Sequence, residues 1–226
     1  MIIHVYLCYQ LSFTAHGLLV KIKCGPRYSQ EMILCFVRLT DQWDDSTTCV
    51  YCAASCVPVL VQQNFGGSNF FNRSWAEFKV GFSDSRGNYW LGNDLLHQLT
   101  VSGRYKLRFD LQTPNAGLGW AWAEYNGIVV LSEANNYKVI ASRYTGNLPD
   151  AFSSQTAMEF TTYDRDNDWW TSGDINGHNN CAVWNSGGFW YNSCGLANVN
   201  TVPNRGAGFT WNAGYRLLST RMMLTC

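Results

Sequence analysis

Apolar and polar residues alternate without a break from Tyr105 to Leu111. The apolar side chains would share one face and the charged ones the other, which is the two-residue period of a half-buried β-strand. Shorter apolar runs at 127–131 and 137–141 indicate two more strands. The pattern therefore predicts at least three strands in the middle of the chain.

Two short segments show the spacing of a helix. Trp75, Phe78 and Phe82 show helical spacing over residues 74–82, and Ser74 precedes them with Glu77 three residues further on. This arrangement is typical of a capping box at the start of a helix. A second short helix is predicted over residues 93–99.

The distribution of cysteine divides the chain into two parts. Residues 1–62 contain six of the nine cysteines and show no clear period, whereas residues 63–226 are rich in Gly, Asn and Trp. We therefore predict a divergent N-terminal segment over 1–62 and a domain over 63–226. After Asp150 the periodic patterns end and long loops follow, which are often functional when they are ordered.

The charge balance excludes some classes of partner. The chain carries 16 basic and 16 acidic residues, so its formal net charge is zero. A nucleic-acid-binding protein usually carries a basic patch instead. Because the sequence has neither a run of Lys and Arg nor 18 consecutive apolar residues, we predict no nucleic acid, no anionic membrane surface and no membrane insertion.

The cysteine count indicates an oxidising compartment. Cys49 and Cys52 form one CxxC, but the second pair that a zinc site needs is missing. We therefore predict disulfides and a secreted, extracellular protein, and the sequon at Asn72 adds a candidate glycosylation site. Because nine is odd, at least one thiol is left over or pairs between chains, which leaves a homo-oligomer open.

Three aspartates alternate at Asp164, Asp166 and Asp168. Calcium takes six to eight oxygen ligands, and closely spaced carboxylates with loop carbonyls supply such oxygens. The segment is not an EF-hand, because Trp169 stands where that loop needs Gly and Ile175 where it needs Glu. A solvated acidic turn is the alternative to a metal site.

Three blocks of sequence carry a family resemblance. The first is at 72–82, the second runs from 89 to 100, and the third combines the segments at 164–168, 180–182 and 190–194. Their order and spacing resemble the fibrinogen C-terminal domain family, which includes ficolins, tachylectins, angiopoietins and the fibrinogen chains. The resemblance implies an α+β fold with a twisted antiparallel sheet, short helices and a loop-rich calcium-binding C-terminal subdomain.

The same resemblance implies a Ca²⁺ site. Asp166 and Asp168 match the two carboxylate ligands of the family, and the carbonyl groups two and four residues later belong to Trp170 and Ser172. The loop that follows, as far as Cys181, is several residues longer than is usual in the family.

A disulfide and a ligand pocket are implied beside this loop. Closing about 14 residues between Cys181 and Cys194 contributes about 3 kcal/mol in the chain-entropy model. In the lectin members the peptide before the second cysteine is cis and turns backbone N–H groups toward an acetyl group. The residues at the matching ligand-binding positions are Trp184, Asn185, Ser193, Cys194, Gly195 and Tyr215. Trp190 and Trp211 are interpreted as core residues.

Two functions follow from the resemblance. One is a calcium-dependent, lectin-like module of innate-immune type that binds acetylated carbohydrates. The other is a calcium-stabilised module that binds an extracellular protein, as in the angiopoietin and fibrinogen branches. Gly195 stands where the lectins often have His, which favours the second, whereas the aromatic residues near the disulfide favour the first.

An enzyme is not predicted. Four acidic residues would be available to a glycoside hydrolase, which uses two carboxylates. None of them lies in a motif with a base, nucleophile or oxyanion partner. They are Asp110, Glu124, Glu133 and Glu159.

Overall fold

The computed structural model describes residues 10–14, 17–21, 58–114, 119–174, 177 and 179–226. The chain forms two compact units, Met1–Val57 and Pro58–Cys226. In the first, strands β1 (Gln10–Thr14) and β2 (Gly17–Lys21) pair antiparallel. The six cysteines of the predicted N-terminal segment lie outside the described residues.

A seven-stranded antiparallel sheet forms the centre of this unit. Its strand order is β4-β5-β3-β14-β6-β7-β8. The strands are β3 (Val59–Asn64), β4 (Phe82–Ser83), β5 (Tyr89–Trp90), β6 (Lys106–Thr113), β7 (Gly119–Val130), β8 (Val139–Gly146) and β14 (Ser219–Thr225). The last strand of the chain thus lies in the middle of the sheet, between β3 and β6.

The strongest strand prediction is confirmed by β6. Leu107, Phe109 and Leu111 are buried, and the charged residues between them are partly exposed. The run at 127–131 belongs to the second half of β7, and the run at 137–141 enters β8. The predicted boundary after residue 62 falls inside β3, and this division into domains stays a prediction.

Both predicted helices are present, although the first ends at Val80 and the predicted helical residue Phe82 lies in β4. Helix α1 (Trp75–Val80) begins with the predicted capping box: the Ser74 hydroxyl accepts from the Glu77 N–H, and the Glu77 carboxylate accepts from the Ser74 N–H. Helix α2 (Asn93–Thr100) follows. A third helix, α3 (Cys181–Asn185), was not predicted; the Asn180 side chain accepts from the N–H groups of its second and third residues.

The buried face of the sheet packs on an aromatic core. Phe109 lies 5.0 Å from Trp211 and 5.2 Å from Phe152, between ring centroids. Trp190 and Trp211 are fully buried, as predicted, and their indole N–H groups donate to backbone carbonyls at 2.7 and 2.8 Å. A buried indole normally needs such a partner, so both residues are structural.

Short strands and loops make up the remainder of the unit. Strand β9 (Phe160–Thr161) pairs with β10 (Phe189–Trp190), and β12 (Thr210–Trp211) lies between β11 (Ala197–Asn198) and β13 (Tyr215–Arg216). With the large antiparallel sheet and the short helices, this confirms the predicted α+β fold. Among the described residues, no helix has the length and apolar character needed to span a bilayer.

Candidate functional site

The acidic loop, residues 162–180 between β9 and α3, begins with a tight turn in which Thr162 and Arg165 pair. Asp164, at the tip of this turn, points toward α1, where its Oδ1 atom accepts from the Trp75 N–H at 2.9 Å. The Thr162 hydroxyl donates to the same oxygen at 2.8 Å. Asp164 therefore has a structural partner of its own, apart from the other two aspartates.

Asp166 and Asp168 lie next to each other. The Asp168 N–H donates to Asp166 Oδ1 at 3.2 Å. The Asp168 carboxylate accepts from two backbone N–H groups, that of Trp170 at 2.9 Å and that of Cys181 at 2.7 Å. Asp168 therefore connects the middle of the long loop to the first residue of α3.

Burial raises the pKa of Asp168 to about 6. The negative charge of Asp166 and the contact between the two carboxyl groups also raise this pKa, whereas the two backbone N–H donors lower it. A partly buried carboxylate beside a second carboxylate resists ionisation unless a cation compensates it. This pair of oxygen donors fits a hard cation such as Ca²⁺.

Backbone oxygens would complete the coordination. Among the described residues, no cluster of three or more His, Cys, Asp or Glu side chains is suited to a metal. Calcium at this loop therefore needs loop carbonyls and water in addition to Asp166 and Asp168. The carbonyls of Trp170 and Ser172, which follow on the same loop, are the expected donors.

A disulfide closes the neighbouring loop. Cys181 and Cys194 are bonded, with their Cα atoms 5.1 Å apart. The Trp169 N–H donates to the Asn192 carbonyl at 2.7 Å, so the acidic loop is hydrogen-bonded to the disulfide loop as well as to Cys181. Cys226 is also disulfide-bonded.

An aromatic surface accompanies these two loops. Trp169, between Asp168 and Trp170, has 67% of its surface exposed. The rings of Trp170 and Trp184 lie 5.3 Å apart and are only partly buried. Trp169 was not predicted as a functional residue, although its place in the sequence between two predicted calcium ligands, Asp168 and Trp170, was the available signal.

Two predicted ligand-binding residues have structural roles instead. Asn185 is fully buried, and its side-chain oxygen accepts from the Ala207 N–H at 3.0 Å. Gly195 has φ +70°, and a Cβ atom there would lie 2.4 Å from the Gln155 side chain. The Asn185 side chain is thus engaged within the fold and Gly195 carries none, and the ligand pocket stays a prediction.

The prediction of a cis peptide before Cys194 is wrong. The Ser193–Cys194 bond is trans, as is every peptide bond in the part of the chain that the structure describes. The trans form is favoured by about 3–4 kcal/mol at a non-proline residue. The chain turns here through left-handed φ angles at Cys194 and Gly195, and the Ser193 N–H donates to its neighbour Asn192 at 2.6 Å.

The remaining predicted pocket residues lie on three segments: α3, the disulfide loop and β13. Ser193 is exposed in the disulfide loop, while Tyr215 lies on β13 and packs partly against the core. Trp184 contacts Trp170, and no described ring contact joins it to Tyr215. A separate cavity of about 310 Å³ contains none of the predicted residues; it is lined by Gly67, Ser68, Asn69, Val202, Pro203 and Asn204.

The family model described as "Fibrinogen beta and gamma chains, C-terminal globular domain" matches residues 26–218. The chain belongs to this family. The match confirms the predicted resemblance, and it places the acidic loop and the disulfide within the fibrinogen C-terminal domain.

Similar sequences occur in several fibrinogen-related proteins. The fibrinogen alpha chain of Rattus norvegicus is 39% identical over 163 residues, which are 64% of this chain and 19% of that protein. Protein scabrous of Drosophila melanogaster is 34% identical over 169 residues, 73% of this chain and 20% of that protein. Human ficolin-3 is 34% identical over 177 residues, 74% of this chain and 56% of that protein. The chain thus spans about a fifth of the length of the first two relatives.

Solved fibrinogen-like domains have the same fold. The globe domain of human ANGPTL2 gives a TM-score of 0.68 at 27% identity, covering 98% of this chain and 93% of that one. The globe domain of human ANGPTL6 gives 0.62 at 30% identity, with 73% and 76% covered. A lamprey fibrin D-dimer complexed with the peptide ligand Gly-His-Arg-Pro-amide gives 0.61 at 25% identity, with 73% and 60% covered.

Proposed function

We propose that this fibrinogen C-terminal domain is an extracellular, calcium-organised recognition module that binds a protein or peptide ligand. The observation that carries the proposal is the acidic loop. Asp168 and Trp169 are each hydrogen-bonded to the disulfide-linked segments, while the Trp169 side chain stays exposed.

Calcium would supply positive charge and a coordination centre between Asp166 and Asp168. The carbonyl groups of Trp170 and Ser172 would bind the same ion, so the backbone on both sides of Trp169 would be fixed. A rigid, exposed Trp is typical of the residues that dominate the binding energy of protein interfaces. The chain itself thus holds the ion and orients the ring.

The ligand class is supported by geometry and by the relatives. The Ser193 N–H is already bonded to the Asn192 side chain, and Asn185 and Gly195 have structural roles, which favours a protein or peptide ligand over an acetyl group. One structural relative is complexed with a tetrapeptide amide. Acetylated carbohydrate remains a second candidate, because Trp184 and Tyr215 are partly exposed and ficolin-3 is a relative.

Recognition is preferred to catalysis because the acidic side chains have other partners. The four carboxylates that a glycoside hydrolase would use each lie within 4 Å of a Lys or Arg. The pairs are Asp110 with Arg108, Glu124 with Lys106, Glu133 with Lys79 and Glu159 with Lys138. The disulfide and the exposed Asn72 of the sequon favour an extracellular location.

Calcium binding is tested by thermal unfolding of the full chain with calcium and with a chelator. A ligand at 100 times its Kd stabilises a protein by about 2.7 kcal/mol. We expect a clear rise in Tm for the wild type and none for the double variant Asp166→Asn, Asp168→Asn. An equal rise in both proteins would contradict the assignment.

The ligand class is tested by retention on two supports, one carrying a panel of tetrapeptides that includes Gly-His-Arg-Pro-amide and one carrying N-acetylglucosamine. We expect calcium-dependent retention on peptides, lost in Trp169→Ala and kept in Trp120→Ala. Trp120 is a suitable control because it is also exposed, at 44%, but lies on β7. Retention on the sugar alone, with release by free acetate, would favour the lectin alternative.

A further inference from the structure

The first residue of the acidic triplet is bonded to a distant helix. Asp164 Oδ1 accepts from the N–H of Trp75, the first residue of α1, although 89 positions separate the two residues. The first N–H groups of a helix have no partner within the helix. A carboxylate there satisfies one of them and complements the positive end of the helix dipole.

The next residue contacts the same helix residue from another side. The Arg165 guanidinium lies 4.0 Å from the centroid of the Trp75 ring, which is well within cation–π distance. The Arg165 guanidinium also donates to the Asn136 side chain, so this group has two partners that fix its position.

Trp75 is itself held firmly. Its indole N–H donates to Glu133 at 2.8 Å, and its ring stacks on Tyr137 at 5.3 Å. Glu133 in turn pairs with Lys79 of the same helix. Trp75, which contacts Asp164 through its backbone N–H and Arg165 through its ring, is therefore a fixed point of the fold.

We infer that Asp164 and Arg165 are positioning residues for the calcium loop, and that they couple calcium binding to the stability of α1. Asp166 and Asp168 follow immediately in the sequence, so the contacts of Asp164 and Arg165 with Trp75 determine the position of the two ligand carboxylates. The inference rests on the proposed calcium site. Coupling of this kind is reciprocal: if the contacts of Asp164 and Arg165 with Trp75 strengthen calcium binding, calcium strengthens these contacts by the same factor.

The alternating pattern alone would make Asp164 a third calcium ligand, and one substitution separates the two roles. Asn keeps the oxygen that accepts from Trp75 and Thr162 but loses the negative charge. Asn and Asp are nearly equivalent as acceptors at a helix N-terminus. A positioning role thus tolerates Asp164→Asn, whereas a ligand role does not.

The experiment measures calcium affinity of the full chain by calorimetry. We expect Asp164→Ala and Arg165→Met each to weaken calcium binding by about 5-fold or more, the lower end of typical coupling between sites. Asp164→Asn should stay within about threefold of the wild type. Near-UV circular dichroism checks that each variant is folded; if Asp164→Ala is not, Arg165→Met and Asp164→Asn decide the outcome.

Asp84→Ala is the matched control. Asp84 also accepts from backbone N–H groups, those of Arg86 and Asn88 at 2.9 Å, in the turn between β4 and β5. It contacts no residue of the acidic loop. Its loss should lower stability without changing calcium affinity.

Hydrogen exchange provides a readout that a merely local defect would not change. Calcium should slow exchange of the α1 amides in the wild type and in Asp164→Asn, but not in Asp164→Ala or Arg165→Met. Unchanged affinity in Asp164→Ala and Arg165→Met, or equal weakening in Asp164→Asn and Asp164→Ala, would overturn the positioning role alone. A wild type that binds no calcium would overturn the calcium site and the inference with it.

Discussion

Gly195 shows how one residue can decide what a loop presents. Its φ of +70° is a left-handed value that favours glycine. The Gln155 carboxamide fills the space beside it, accepting from the N–H of Leu196 and Ala197 and donating to the Trp190 carbonyl. A side chain at 195 would displace the residue that holds the disulfide loop to the core.

We therefore predict that Gly195→Ala destabilises the protein by about 3 kcal/mol or more, through both backbone strain and overpacking. Gly67→Ala is the control, because Gly67 also has a positive φ but no atom lies within 4 Å of a Cβ there. It should cost only about 1–2 kcal/mol, the strain alone. Urea unfolding measures both, and equal losses would show that contact with Gln155 is unimportant.

Two residues show why part of the candidate site could not be predicted from the sequence. The burial of Asn185 depends on Ala207, and the space at Gly195 depends on Gln155. These partners lie 22 and 40 positions away, and no local pattern predicts such contacts. Asp166 and Asp168 were easier to assign to a site, because neighbouring positions of the same loop bring them together.

Helix α1 has only six residues, and helices this short depend on their ends. The N–H and the hydroxyl of Ser74 donate to the Glu77 carboxylate, and these bonds lower the pKa of Glu77 below its usual value of 4.5, with a smaller contribution from Arg73. The folded state thus prefers the ionised carboxylate.

The expected pH dependence follows from that direction. Because the pKa of Glu77 is lower in the folded than in the unfolded state, its contribution to stability is complete above about pH 4.5 and is lost as the pH falls through the folded-state pKa. Glu77→Gln should remove this part of the acid destabilisation. Urea midpoints of both proteins at about pH 7 and pH 3 give the comparison, and identical acid losses would contradict the prediction.

Helices and strands were predictable where one face is buried and the other is exposed to solvent. Strand β6 has this pattern, and so it was found. The first half of β7 has Ala121 and Ala123 buried while Trp120 and Trp122 point outward, which inverts the usual difference in size and apolarity. Helix α3 has only five residues, too few to show a period.

For the whole molecule, β14 joins distant parts of the chain. It pairs with β3 on one side and β6 on the other, and Met222 is fully buried beneath the sheet. Met223 points to the opposite face and is only partly buried. The two adjacent residues are of the same type and differ in burial.

Met222→Ala should therefore cost about 2–5 kcal/mol, as for other buried large-to-small changes. Met223→Ala should cost under about 1 kcal/mol, because the partly buried Met223 side chain does not pack against the core cluster. Chemical unfolding of the two variants provides the measurement. Similar losses in both would mean that the two faces of β14 are packed equally.

The position of β14 has a consequence for synthesis. A ribosome adds about 5 to 20 residues each second, so β3 and β6 are made well before the strand that must separate them. About 155 positions lie between the end of β3 and the start of β14, which corresponds to roughly 10 to 30 s of translation. Until β14 leaves the exit tunnel, the edges of β3 and β6 with which it pairs stay open. Unpaired strand edges promote aggregation, so we expect the nascent chain to need chaperones until β14 is made.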